Sequence, residues 1–324
     1  MSMTPVARLL AAEIASGGPI QFRRFMEAAL YHPEYGYYRN QRDPFGKGGD
    51  FFTAEQVQPV FGILIAALVR RLNERMGGPE DFTVVELGAG RKEMAEAFGA
   101  WRYLPIDIAG GELPRCFRGV VFSNEFFDAL PVNAAIYEQG SFRERRVAFR
   151  DGCFQWETAG ACDSEAEEYL RRYFPAPDEG RVYEVNLDAL RWMERIARSI
   201  EAGVVVTVDY GYTRAESVRF PAGTLMGYRR HMAHEDVFRE PGLRDITAHV
   251  NFTALEEHAA ALGLVPERFE TLASALLSAG EPDRFAAAIG PGSEAEQLRR
   301  RMQLKTLLFG MGETYRVLWQ RKAG

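Results

Sequence analysis

Val84-Val85-Glu86-Leu87-Gly88-Ala89-Gly90 is the stretch of this 324-residue chain best suited to holding a ligand. Its apolar run reads as a buried strand, its glycines as a tight turn, and Arg91 to Ala100 as a helix that follows. Lacking a Cβ, Gly88 and Gly90 can take left-handed backbone angles and let a nucleotide-like cofactor lie against the main chain, at a helix N-terminus with free N–H groups. The dinucleotide fingerprint would need a third glycine where Glu93 stands, and a phosphate loop would need Gly-Lys-Ser/Thr, so neither phosphate pattern fits. The plain alternative is a turn whose glycines serve geometry alone. Asp107 follows 19 positions after Gly88, close to the roughly 20 at which nucleotide folds set an acid against ribose hydroxyls; otherwise it is a helix cap or a solvated side chain. Gly119 to Glu125 reads as another buried strand with Ser123, Asn124 and Glu125 at its carboxyl end, where open α/β sheets bind ligands. His249 is either a proton acceptor or a structural hydrogen-bonding residue.

The elements that must position these residues alternate as a doubly wound α/β sheet requires. Val6–Ser16 and Ile20–Leu30 have helical spacing and form a lead-in; Gln56–Met76 reads as a long helix. Trp101–Ile108 and Gly203–Tyr212 are further strands. Ala134–Thr158 alternates around the turn signal Arg150-Asp151-Gly152 and reads as an inserted β meander. Helices are expected over Ser164–Phe174, Leu187–Ile200, Thr253–Leu262 with a Thr253-x-x-Glu256 capping box, and from a Ser293-x-x-Glu296 box to Leu308. Leu264–Leu272 and Thr314–Gln320 are expected strands. Tyr212–Asn251, rich in Arg, His and Gly, is too long for a plain connection and points to function. The resulting division is a helical cap and active-site loop over 1–80, then a catalytic domain over 81–324 with insertions at about 132–185 and 212–252.

Composition narrows the partners. A formal net charge of −6 argues against a general nucleic-acid or anionic-membrane surface. Cys116, Cys153 and Cys162 show no metal-type spacing and no even disulfide framework, which suits a reducing compartment. No stretch approaches the roughly 18 apolar residues of a membrane span, and the first residues lack the pattern of a signal peptide. The expectation is a cytoplasmic protein whose partners are proteins or small molecules, with no metal.

Several separate stretches, in order along nearly the whole chain, resemble the MidA-like class I S-adenosylmethionine (SAM)-dependent methyltransferases, relatives of the mitochondrial complex I assembly arginine methyltransferase. They are Leu30-Tyr31-His32-Pro33-Glu34-Tyr35-Gly36-Tyr37-Tyr38, Gly49-Asp50-Phe51-Phe52-Thr53-Ala54, Val85-Glu86-Leu87-Gly88-Ala89-Gly90-Arg91, Ser123-Asn124-Glu125-Phe126-Phe127-Asp128-Ala129-Leu130-Pro131-Val132, Asp209-Tyr210-Gly211, Gly223-Thr224-Leu225, Ile246-Thr247-Ala248-His249-Val250 and Met311-Gly312-Glu313. The resemblance implies a Rossmann-like class I methyltransferase sheet that binds SAM, a protein substrate methylated on arginine, with a respiratory complex subunit as the family example, and a homodimer. It further implies that Glu86, Gly88, Ala89 and Gly90 hold the cofactor, and that Asp50 and Thr53 close over it; the spacing of Asp107 sets it against the ribose. Asn124, Glu125 and Asp128 would line the transfer pocket. A guanidinium stays protonated up to a pKa above about 12 and is a poor nucleophile. Its methylation calls for a carboxylate that pairs two-handed, aims one nitrogen and accepts the leaving proton. Glu125 takes that role, with His249 as the other proton acceptor to consider.

The chain departs from the family pattern in three places. Lys92 stands where a glycine is expected, and Asn251 where an acid is. Arg91–Arg118 spans 28 residues, and a parallel crossover needs at least about 10 to 12; one strand fits there and not two, so the sheet should lack an outer strand and its helix. The alternatives left open are a degenerate methyltransferase-fold protein that serves as a binding or assembly factor, and a small-molecule methyltransferase. An NAD(P)-linked oxidoreductase is disfavoured by Glu93.

Overall fold

In the computed structural model, residues 3–39, 54, 57–108, 110–230 and 232–324 are described. The chain begins with α1 (Pro5–Gly17), β1 (Ile20–Gln21), α2 (Phe22–Tyr31) and α3 (Val60–Arg75), then β2 (Thr83–Leu87), β3 (Arg102–Ile106) and β4 (Phe117–Asn124). Next come β5 (Asn133–Glu138), β6 (Ser141–Arg150), β7 (Cys153–Ala161), α4 (Ser164–Tyr173), β8 (Val182–Val185), α5 (Leu187–Ser199) and β9 (Ile200–Tyr212). Short strands β10 (Met226–Arg229), β11 (Met232–His234), β12 (Asp245–Thr247) and β13 (Val250–Asn251) precede α6 (Phe252–Ala261). The chain closes with β14 (Val265–Thr271), α7 (Leu272–Gly280), α8 (Ala286–Ile289), α9 (Glu294–Lys305) and β15 (Tyr315–Lys322). No helix among the described residues is long and apolar enough to cross a membrane.

The contacts divide the chain into two compact units. One comprises the described residues of 53–126, 191–211 and 255–324. Its strands run in the order β14-β15-β9-β4-β2-β3. β3, β2, β4 and β9 run parallel to one another, while β15 is antiparallel to both β9 and β14. The apolar runs of β2 and β4 are buried because a parallel sheet is covered on both faces. On one face α3 contributes Val60, Phe61, Leu64, Ile65, Leu68, Val69 and Leu72 against Val84, Val120, Phe122 and Val206. Each such side chain contributes roughly 1.5–3 kcal/mol by leaving water. Arg71 donates to the carbonyls of Ser278 and Ala279 at 2.7 and 2.8 Å, a cation against the electronegative end of α7.

As expected, only one strand, β3, lies between β2 and β4 among the described residues. The helix expected over Arg91–Ala100 is absent, and a series of turns replaces it. Lys92 takes a left-handed φ of 61°, which an α-helix cannot continue through, and the segment keeps a helix-like bond from Phe98 N to Met94 O at 2.9 Å. Met94 and Phe98 are both fully buried, so this segment is shaped by burying two anchors rather than by a helical ladder.

The other unit comprises the described residues of 1–52, 127–190 and 212–254. The meander is present: β6 pairs with β5, β7 and β1, and β5 pairs with β8. Asp151 and Gly152, at φ 53° and 78°, make the tight turn between β6 and β7 that their sequence signals. Phe22 and Phe25 of α2 pack among Phe154, Trp156 and Phe238. Thr4 caps α1 by accepting from Ala7 N at 3.0 Å and donates its hydroxyl to Pro241 O at 2.7 Å. The cap of α6 is not the expected Thr253-x-x-Glu256 box: Asn251 Oδ1 accepts from Ala254 N at 3.1 Å, and the Thr253 hydroxyl accepts from Arg214 N at 2.8 Å. The Ser293–Glu296 box does form at the start of α9.

Candidate functional site

Gly88 and Gly90 carry φ values of 71° and 44°, angles that a side chain would strain. The turn they make is laced to the end of β3. Gly88 N and Ala89 N donate to Ile106 O at 2.9 and 3.2 Å, and Gly90 N donates to Asp107 Oδ2 at 2.8 Å. Asp107 Oδ1 accepts from Ile108 N at 2.6 Å. The expected free N–H groups of a following helix are therefore replaced by donors already engaged by β3 and Asp107. Two sequence-distant candidates, Gly90 and Asp107, are brought into direct contact. Lys92 is exposed, with its N–H bound to Ala89 O at 2.6 Å, so it occupies a turn position and not the interior.

Beneath the turn, Glu86 is fully buried and accepts the Tyr103 hydroxyl proton. Tyr103 gave no local signal in the sequence; its role follows from the β2–β3 pairing. The register Leu87↔Ser123 sets Gly88 beside Asn124 at the carboxyl ends of neighbouring strands. Asn124 is buried, its Nδ2 is 3.4 Å from Glu125 Oε1, and its Oδ1 has no hydrogen-bond partner among the described residues. Glu125 takes φ 50°, a sparsely populated angle for a residue with a side chain, and its N–H is tied to Val208 O at 3.0 Å. Phe126 lies against Gly88, where an added Cβ would approach Phe126 Cδ2 to 3.1 Å. Phe126 also meets Trp192 edge-on at 5.1 Å, and Arg195 stacks over Trp192 at 3.9 Å.

The remaining candidates belong to the other unit. Asp128 is buried, and its carbonyl accepts from Ala248 N at 3.0 Å, which brings it next to the His249 segment. Tyr31 donates to Ala129 O at 2.8 Å, Tyr38 donates to Asp245 Oδ1 at 2.9 Å, and the two rings stack at 5.6 Å. Burial, reinforced by Asp245, Tyr31 and Asp128, holds the Tyr38 hydroxyl well above its ordinary pKa. The tyrosine-rich lead-in thus braces the Asp128 and Asp245 segments; Asp245 escaped the sequence reading. His249 N donates to Thr224 Oγ1 at 3.0 Å, and Thr224 in turn donates to the buried Glu184 carboxyl from its N–H at 2.8 Å and its hydroxyl at 3.2 Å. Burial raises the pKa of Glu184 and pushes His249 down to about 4, so its imidazole is neutral at neutral pH. Asn251 serves as a helix cap. Asp50 and Thr53 lie outside the described residues.

A glycine turn clasped by an acid at the end of the adjacent parallel strand agrees with the comparisons to known proteins. Residues 100–270, more than half the chain, match the sequence model of a family of S-adenosyl-L-methionine-dependent methyltransferases. The chain belongs to this family. A crystal structure from Burkholderia thailandensis bound to S-adenosyl-homocysteine is 31% identical with a TM-score of 0.88, covering 98% of this chain and 92% of that one. The mitochondrial protein arginine methyltransferase NDUFAF7 homolog of Drosophila melanogaster is 29% identical over 80% of this chain and 71% of its own length. Its Mus musculus counterpart is 26% identical over 82% and 73%. The protein is a SAM-dependent methyltransferase with a class I α/β fold.

The residues of this methyltransferase fit SAM. A carboxylate has about four lone-pair directions, of which Asp107 uses two in backbone bonds, leaving acceptors for ribose hydroxyls. The buried Asn124 Oδ1 beside Gly88 offers an acceptor for an ammonium group.

Proposed function

We propose that the chain methylates an arginine side chain of a protein substrate. The reading rests on Glu125, a carboxylate at the end of β4 beside the glycine turn, in a backbone conformation tied to β9. SAM supplies an electrophilic methyl group on a sulfonium. Gly88, Ala89 and Gly90 give that donor a surface of bare backbone, and Asp107 holds the turn while accepting from the ribose. Glu86, bound to Tyr103, supports the turn from below. Glu125 pairs with the guanidinium, orients one nitrogen and takes up the proton it loses. Asn124 bears on Glu125 and positions it. His249, neutral and weakly basic, is a structural residue rather than the principal base.

The names of the relatives support arginine as the acceptor. A subunit of a respiratory complex is the first substrate to test, and a homodimer the first assembly. The deciding experiment incubates the protein with methyl-labelled SAM and an extract of its host, followed by mass spectrometry. The expected product is methylarginine in a protein, lost in Glu125→Gln. Label confined to a small molecule would replace this reading with small-molecule methylation. No label with retained SAM binding would leave a binding or assembly role.

A further inference from the structure

Arg229 and Arg244 converge on a single oxygen, Oε2 of Glu240. Arg229 donates through Nη1 at 2.5 Å, and Arg244 through Nε at 3.1 Å and Nη2 at 2.9 Å. Two guanidiniums thus share one carboxylate, an excess of one positive charge. Arg244 is 5% exposed. Its Nη1, and Nε of Arg229, are buried without a hydrogen-bond partner among the described residues. Leaving such donors unfilled is costly, most of all on a charged group. Arg229 also keeps its Nε edge, one of the edges of a guanidinium that can take an oxyanion two-handed. The neighbouring acid does not serve: Asp245 accepts from Tyr38 and from Ile246 N. Glu240 is the more open member, with a side chain 27% exposed, and both arginines hold its carboxyl down at about 2, Arg229 foremost.

We propose that Arg229 and Arg244 form a binding site for an external oxyanion, a carboxylate or phosphate group, for which Glu240 is a displaceable internal stand-in. The site lies within the Arg- and His-rich stretch that the sequence marks as too long for a plain connection, and it does not depend on the assignment of an arginine substrate.

The test titrates inorganic phosphate, and separately acetate, into the full chain by calorimetry at constant ionic strength. The variants are Glu240→Gln and the double variant Glu240→Gln/Arg229→Gln. Glu240→Gln should bind one of the two anions roughly tenfold tighter than the unaltered protein, since a competing like charge is gone. The double variant should lose that gain. The anion that binds more tightly identifies the class. A folded Glu240→Gln protein that binds neither anion more tightly overturns the proposal. Should Glu240→Gln unfold in chloride, thermal melting decides: recovery by phosphate or acetate supports the site, and a melt unmoved by both overturns it.

Discussion

The carboxylate of Asp107 accepts the backbone N–H of Gly90 at 2.8 Å, joining the turn after β2 to the end of β3. A charged acceptor makes this a strong bond, and it fixes the backbone on which the cofactor is to lie. In Asp107→Ala the amide hydrogen of Gly90 should exchange at least about tenfold faster. Unchanged exchange at Gly90 would mean that the turn is held by Ile106 alone.

A methyl group at Gly88 would stand 3.1 Å from Phe126 Cδ2, a contact that the ring must give way to, and φ there is 71°. Gly88→Ala should cost about 1–2 kcal/mol from the backbone angle, before any clash. Chemical denaturation measures this, and adding Phe126→Leu should return only the steric part. A Gly88→Ala protein as stable as the parent would refute the strained turn.

Glu125 is held in a left-handed conformation that favours glycine. Glu125→Gly and Glu125→Ala both remove the carboxylate, so both should lose methyl transfer. The glycine variant should nonetheless be about 1 kcal/mol the more stable of the two. Equal stability would show that the backbone there carries no strain.

His249 is neutral in the folded chain down to about pH 4, whereas its ordinary value is 6.5. Its folded value is depressed, so the unfolded chain binds the proton first. The stability it contributes is complete above pH 6.5 and is lost as pH falls from there to about 4, on the order of 3 kcal/mol. His249→Gln should flatten denaturation curves over this window. A slope identical to that of the unaltered protein would contradict the buried, neutral imidazole.

Much of this arrangement is legible in the residues themselves. Continuous apolar runs declare β2, β4 and β9, Asp151-Gly152 declares the meander turn, and Ser293 with Glu296 declares the start of α9. The 91–100 segment is not legible as turns, because its composition suits a helix while Lys92 and the burial of Met94 and Phe98 decide otherwise. The α6 cap is misread locally because the Thr253 hydroxyl is taken by Arg214, far away in sequence. Asp245 carries no local signal, since its partner Tyr38 is 207 positions distant.

Calorimetric titration with S-adenosylhomocysteine tests most directly whether the cofactor lies on the Gly88–Gly90 turn. The unaltered protein should bind it, and a folded Asp107→Ala variant should bind it about tenfold to a hundredfold more weakly, the effect of losing hydrogen bonds to a charged group. Equal affinity in the two proteins would place the cofactor elsewhere and contradict the account.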